Sequence, residues 1–323
     1  MKTQGWWTAC KASMSMAAWV CTAALVMSAS AMAEGGPAWA YPVADKEQPP
    51  APDGNTKARV PNSALTYQLK EIDNLFEPPI WFPEHNVGMP RVVQYGAQPG
   101  VRACAACHLT SGQGHPESGH ISGLSVNYFK RQIQDFRSGD RTDKVWMTAM
   151  ARAMTDKDIE ESAQWFAKIK PIPWVKVVEA DTIPKSYFNK SRKRLAVPGG
   201  GTEPLGERIA EFPQEPERVL LRDPYAGFVA YVPKGSLAKG KELVTQGAGK
   251  TVMCIACHGA DLKGVGDVPR IAGVSPLYTV RQMYAFKTGS RKGTYAAQMQ
   301  PVTANLQDAD ITAIAAYLAS LAP

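Results

Sequence analysis

The sequence predicts a mainly α-helical chain in which one small helical domain occurs twice in tandem. An extended N-terminal arm precedes the pair, and a long proline-rich connector carrying short strands separates its members. Three observations predict this. The pentapeptide Cys104-Ala105-Ala106-Cys107-His108 almost recurs as Cys254-Ile255-Ala256-Cys257-His258. The residues that follow each pentapeptide match at a constant offset of 150. Proline crowds the stretches outside the repeat, with 11 between 34 and 100 and nine between 171 and 233.

The N-terminus comes first. The chain has 323 residues, room for two domains, and its 45% hydrophobic and 20% charged content is that of a soluble globular protein. Residues 1–33 differ. Lys2 and Lys11 are followed by an apolar run rich in Ala and Ser that ends Ala31-Met32-Ala33. That is the form of a secretory signal peptide. An uncleaved anchor is the rival reading, because the run is nearly long enough to span a membrane. Cleavage removes Lys2 and Lys11 from 36 basic residues, leaving 34 against 29 acidic, a net charge of +5. Such an excess suits docking to acidic partner surfaces and is too weak and scattered for nucleic acid. Lys185, Lys190, Arg192, Lys193 and Arg194 form one basic cluster, expected as a solvated loop.

The arm, 34–96, is expected to be extended, with one short helix near 64–76. The repeat units follow at 97–170 and 235–323, around a connector at 171–234. In the connector, 208–212, 218–223 and 227–232 alternate or run apolar and predict short strands. It is read as a structured connector, with a docking face for a partner as the alternative. Each unit reads as helix, pentapeptide turn, loops, helix, methionine loop, helix. Ser236 can cap a helix over 237–246 that Gly247 closes. Near the C-terminus Ile311, Ile314, Leu318 and Leu321 recur at helical spacing behind Asp308 and Asp310. Its counterpart starts at Asp158 and carries Ile159, Trp165, Phe166 and Ile169.

Cleavage of the leader also removes Cys10 and Cys21, so four cysteines remain, all inside the pentapeptides. Exported cysteine pairs usually form disulfides, but a following histidine asks for another chemistry. Zinc bound by both pairs would need ligands 147 residues apart, far outside ordinary spacing. A thioredoxin-like redox pair needs a βαβ context that is missing. Covalent haem fits. Two thiols add to the two vinyl groups of haem, and the next histidine reaches the iron from the same helical turn. Cys104, Cys107 and His108 are thus expected on one haem and Cys254, Cys257 and His258 on a second.

The repeat picks the sixth iron ligand. Gly114 falls on Gly264, Tyr128 on Tyr278, Gln132 on Gln282, Phe136 on Phe286, Gly139 on Gly289 and Arg141 on Arg291. Two inserted residues then shift the offset to 152, aligning MTDKDI (154–159) with LQDADI (306–311). Met299 aligns with Met147, each about 40 residues after its histidine. A thioether ligand keeps the iron six-coordinate and raises its potential. Met150 and Met154 lie near Met147. His115 and His120 could compete, but Val265 and Arg270 stand at their places in the second unit. These two and His85 are read as loop or surface residues.

These residues resemble the class I cytochromes c, and their tandem arrangement is similar to the periplasmic bacterial di-haem members. The resemblance rests on Cys-x-x-Cys-His, on Tyr-x-x-x-Gln followed by Phe-x-x-Gly-x-Arg, and on a methionine ahead of Leu-x-x-x-Asp-Ile. It covers 97–170 and 235–322. It implies that a proline carbonyl accepts the second N–H of the iron-bound histidine, a role that Pro269 suits for His258. Gly119 stands at the matching place for His108. It also implies electron transfer in the periplasm, between a dehydrogenase or quinol-oxidising complex and a terminal oxidase, with no catalytic residues. The alternatives are a di-haem peroxidase, which needs one iron with an open site and an acid–base residue above it, and a membrane-anchored cytochrome subunit of a dehydrogenase or oxidase complex.

Overall fold

A computed structural model describes residues 35–323, and the signal peptide expected over 1–33 lies outside them. Helices dominate. In the first half they are Arg91–Tyr95, Cys104–His108, Val126–Ser138, Met147–Ala153 and Asp156–Lys168. In the second half Ser236–Gln246, Ile255–His258, Pro276–Lys287, Met299–Ala304 and Asp308–Ser320 occupy the corresponding places.

Local chemistry sets their ends. Ser125 accepts the Tyr128 amide ahead of Val126–Ser138, and left-handed Gly139 closes that helix. Ser275 does the same for Tyr278, with Pro276 in the first turn. Thr155 with Asp158, and Gln307 with Asp310, form capping boxes for the last helix of each half. The expected helix after Ser236 is present, but Gly235 is its cap and Ser236 its first residue.

Two cores follow from these helices. In the first, Ile159, Ala163 and Phe166 pack on Phe129, Ile133 and Phe136, with the Phe129 and Phe166 rings stacked at 6.2 Å. In the second, Leu243 and Val244 meet Ile311, Ile314 and Leu318. Each such fully buried side chain contributes about 1.5–3 kcal/mol. Gly240 lets the helices Ser236–Gln246 and Asp308–Ser320 touch, because a Cβ there would lie 2.0 Å from the Ala313 carbonyl oxygen.

Residues 171–234 hold most of the strands. Val175–Glu179 pairs in parallel with Phe228–Val232, whose other edge takes Ala210–Pro213 antiparallel. Thr182–Pro184 pairs antiparallel with Thr202–Pro204, and the hairpin of Ser186–Phe188 with Arg194–Ala196 lies between them in sequence. The stretch 218–223, expected as a strand, is instead part of the helix Pro216–Leu220 and its exit. Pro216 starts that helix, Arg218 reaches Glu215 and Asp223 across its turns, and Val219 is its one buried residue. The basic cluster is not wholly solvated either. Lys193 is buried against Glu117 at 3.3 Å, and Arg194 lies buried over the Phe188 ring. In the N-terminal segment the helix expected near 64–76 shrinks to Leu69–Ile72, since Tyr67–Gln68 pairs as a strand with Lys57–Ala58. Trp81 and Phe82 of that segment are buried.

The halves meet along a seam with reciprocal contacts. Arg141 and Arg291, repeat equivalents, pair through their backbones. Arg141 donates to Gln132 at 2.9 Å and, across the seam, to Tyr278 at 3.0 Å and Gln282 at 2.8 Å. Arg291 mirrors this, donating to Gln282 at 3.0 Å, Tyr128 at 2.8 Å and Gln132 at 2.6 Å.

Candidate cofactor sites

Each pentapeptide forms a single helical turn, and none of its cysteines is in a disulfide. Burial pushes the Cys104 thiol up to about 12 and the Cys254 thiol to about 11, so neither is a thiolate at neutral pH. Among the described residues no three His, Cys, Asp or Glu side chains are placed to hold a metal ion together. The four cysteines therefore do not assemble as a zinc tetrathiolate.

Histidine orientation is decided by one hydrogen bond in each half. His108 Nδ1 donates to the Gly119 carbonyl at 2.6 Å, and His258 Nδ1 donates to the Pro269 carbonyl at 2.8 Å. A carbonyl only accepts, so the proton is on Nδ1 and the Nε2 lone pair is left for a metal. Burial lowers both imidazole pKa values and keeps the rings neutral, as a ligand must be. Glycine replaces proline at 119 for a steric reason. A Cβ at Gly119 would lie 2.8 Å from the Tyr278 ring, which crosses from the other half. The loop between histidine and carbonyl needs glycine at 114 and 264. Both have positive φ, and a Cβ would strike the Ser118 or Val268 carbonyl.

The two methionines stand at matching places. Met147 begins Met147–Ala153 and Met299 begins Met299–Ala304, and both are half-buried. Asp143 Oδ1 organises the first of these turns by accepting the amides of Trp146 at 2.6 Å and Met147 at 2.8 Å. Met150 and Met154 are buried in the first core. His115 and His120, expected as loop or surface residues, are both buried. His115 meets Glu117 at 3.0 Å, and burial among Lys193 and Arg222 pushes its pKa down to about 4. His120 packs against the Tyr278 ring. The groups that cover them, Lys193 beside Glu117 and the Tyr278 ring, come from distant sequence, which is why local reading missed the burial. His85 is exposed and pairs with the Tyr225 hydroxyl at 2.8 Å.

The seam was visible in the repeat only as matched residues without a role. It concentrates positive charge. Arg141, Arg281 and Arg291 are buried there, and Arg131 Nε, Arg270 Nη2 and Arg291 Nε are buried with no partner among the described residues. Unpartnered buried guanidinium N–H groups are costly unless an anion meets them. Haem carries carboxylates, so free thiols, oriented imidazoles and this excess of cationic donors together fit haem.

The comparisons agree. The cytochrome c family model matches residues 237–322. A thiosulfate dehydrogenase electron acceptor from Thiomonas intermedia is 29% identical over 227 residues, covering 69% of this chain and 81% of the relative. One of the same description from Stutzerimonas stutzeri is 25% identical over 237 residues, with 72% and 86% covered. Cytochrome c-554(548) of Halomonas halodenitrificans is 41% identical over 75 residues, which are 23% of this chain and 90% of that protein. The chain belongs to the di-haem class I cytochromes c. It carries covalently bound haem c and is a redox protein.

Proposed function

We propose that the chain is a periplasmic two-haem relay, folded as two tandem domains at 97–170 and 235–323, that accepts single electrons from a dehydrogenase. Cys104 and Cys107 would hold the first haem by thioether bonds, with His108 Nε2 and Met147 Sδ as the donors to its iron. Cys254, Cys257, His258 and Met299 would do the same for the second. The observation that carries this is the pair of Nδ1–carbonyl bonds at 2.6 and 2.8 Å, which aim both imidazoles identically within their repeat units.

The bound group supplies one-electron iron chemistry. The residues supply the rest. With a methionine and a histidine both given to the iron, the site would have no place for a substrate, and the reading is a carrier. The buried arginines and the Tyr128 and Tyr278 hydroxyls of the seam would supply donors for haem carboxylates. Among the described residues no helix is long and apolar enough to cross a membrane.

The donor class comes from the relatives, two of which are described as electron acceptors of thiosulfate dehydrogenase. By that likeness the donor is a dehydrogenase acting on a sulfur oxyanion. The test mixes the oxidised protein with a thiosulfate dehydrogenase and thiosulfate and follows haem reduction by absorbance. Reduction of both haems, dependent on enzyme and substrate, is expected. No reduction, with both haems still reducible by dithionite, would remove this donor.

A further inference from the structure

The two pentapeptide turns have unlike surroundings. The first is roofed. Ala103 N–H donates to Leu75 O of the N-terminal segment at 3.0 Å. Arg222, from the middle segment, donates to Ala106 O inside the turn, to Ile72 O at 2.7 Å and to Asp73 at 3.0 Å. Trp81 Nε1 ties the two segments together by donating to Leu221 O at 2.8 Å. Leu109, next after His108, is buried with Trp174, Val219 and Phe228. As a result Ala106 is 0% exposed. The flank toward Met147 is spanned by Arg102, whose guanidinium carbon lies 3.3 Å from the centroid of the Trp146 ring.

The second turn has none of this. Val252 and Met253, just before Cys254, are 52% and 45% exposed, and Ala256 inside the turn is exposed too. Val252 stands where the first half has Arg102, and Gln298 where it has Trp146, so the clamp cannot form. Thioether bonds fix one edge of each haem against its turn. Covering a turn therefore covers that edge, and electron tunnelling falls steeply with added distance.

Building on the haem assignment above, we propose that the second haem is the port through which this chain exchanges electrons with its surroundings. The first haem, insulated by the two segments and the Arg102–Trp146 pair, exchanges only through the second. A one-electron partner then approaches the Val252–Met253 face.

The test oxidises the fully reduced holoprotein with hexacyanoferrate(III) in a stopped-flow instrument at low ionic strength. Each haem iron gives one electron to one hexacyanoferrate(III), so two electrons are counted. Met253→Glu, with Val252→Glu as a paired variant, places a negative charge at the port. Leu220→Glu places one on the roof, where Leu220 is 40% exposed. The expected result is that the port variants slow both electrons about 3- to 10-fold and that added salt abolishes the effect, whereas Leu220→Glu slows neither. A port variant that slows only one of the two electrons, or a roof variant that slows either, would overturn the proposal. Haem content and the methionine-to-iron charge-transfer band are read on the same samples. Their loss in the native protein would overturn the haem assignment instead of the port.

Discussion

Removing the two seam arginines separately and together tests how the halves are joined. Arg141→Met and Arg291→Met keep an unbranched apolar stem and delete the guanidinium groups, whose carbons lie 4.4 Å from the Phe136 and Phe286 ring centroids. Each single variant loses hydrogen bonds from a charged donor, worth about 1.5–3 kcal/mol apiece. The loss is partial, because the Gln132 and Gln282 oxygens each keep the other arginine as donor. What each single variant does orphan is one tyrosine hydroxyl. A cost of about 2–4 kcal/mol follows for either one. The double variant strips both glutamine oxygens of their arginine donors in a buried place, adding about 1–3 kcal/mol beyond the sum of the singles. Repulsion acts in the same direction. Burial and the Arg141 charge both lower the Arg291 pKa, so either single variant relieves a repulsion that the double can relieve only once. Urea unfolding of the holoprotein, followed by circular dichroism for all four members of the cycle, reads these numbers. Strict additivity, or a double variant milder than the sum, would refute the shared-acceptor reading.

Three further outcomes are expected. Gly240→Val places side-chain atoms against the Ala313 carbonyl and lowers stability by about 1–3 kcal/mol or more, read by the same denaturation. Gly119→Ala crowds the Tyr278 ring yet keeps the carbonyl that His108 uses, so the melting temperature falls while the low-spin haem spectrum persists. Glu211 is buried, with Ser275 and the Leu277 amide on one oxygen, none on the other, and Arg281 and Glu117 as its charged neighbours. Burial raises its pKa from 4.5 to about 7. The folded state then holds the extra proton between those values, and stability falls as pH rises through that window by up to about 1.4 kcal/mol per pH unit. Glu211→Gln is expected to flatten that slope, and an unchanged slope in chemical denaturation between pH 4.5 and 7 would remove Glu211 as its source.

What the sequence made legible was chemistry held within short spans. Cys-x-x-Cys-His needs only one helical turn, and the offset of 150 carried the rest, from Gly114 to Arg141, onto the second copy. The helix Ser236–Gln246 announced itself by its closing Gly247, and the last helix by its leading aspartates and apolar spacing. Long-range pairing was not legible. Nothing near His115 says that Lys193 will reach Glu117 and close over it, nor that Arg222 will reach 116 residues back to Ala106. The stretch 218–223 misled because its aliphatic run Val219-Leu220-Leu221 suits a strand, whereas Pro216 and the Arg218 ion pairs favour a helical turn. Tyr128, Gln132 and Arg141 were seen as a repeated motif, but only the fold shows that each is bonded to groups of the opposite half.

The most direct measurement is the pair of optical and electron paramagnetic resonance spectra of the oxidised holoprotein, native and with Met147→Ala or Met299→Ala. Two low-spin haems with a methionine-to-iron charge-transfer band are expected, each variant losing about half of that band. A native high-spin haem, a bis-histidine signal, or a variant that leaves the band whole would contradict the two-haem relay with His/Met ligation in each half.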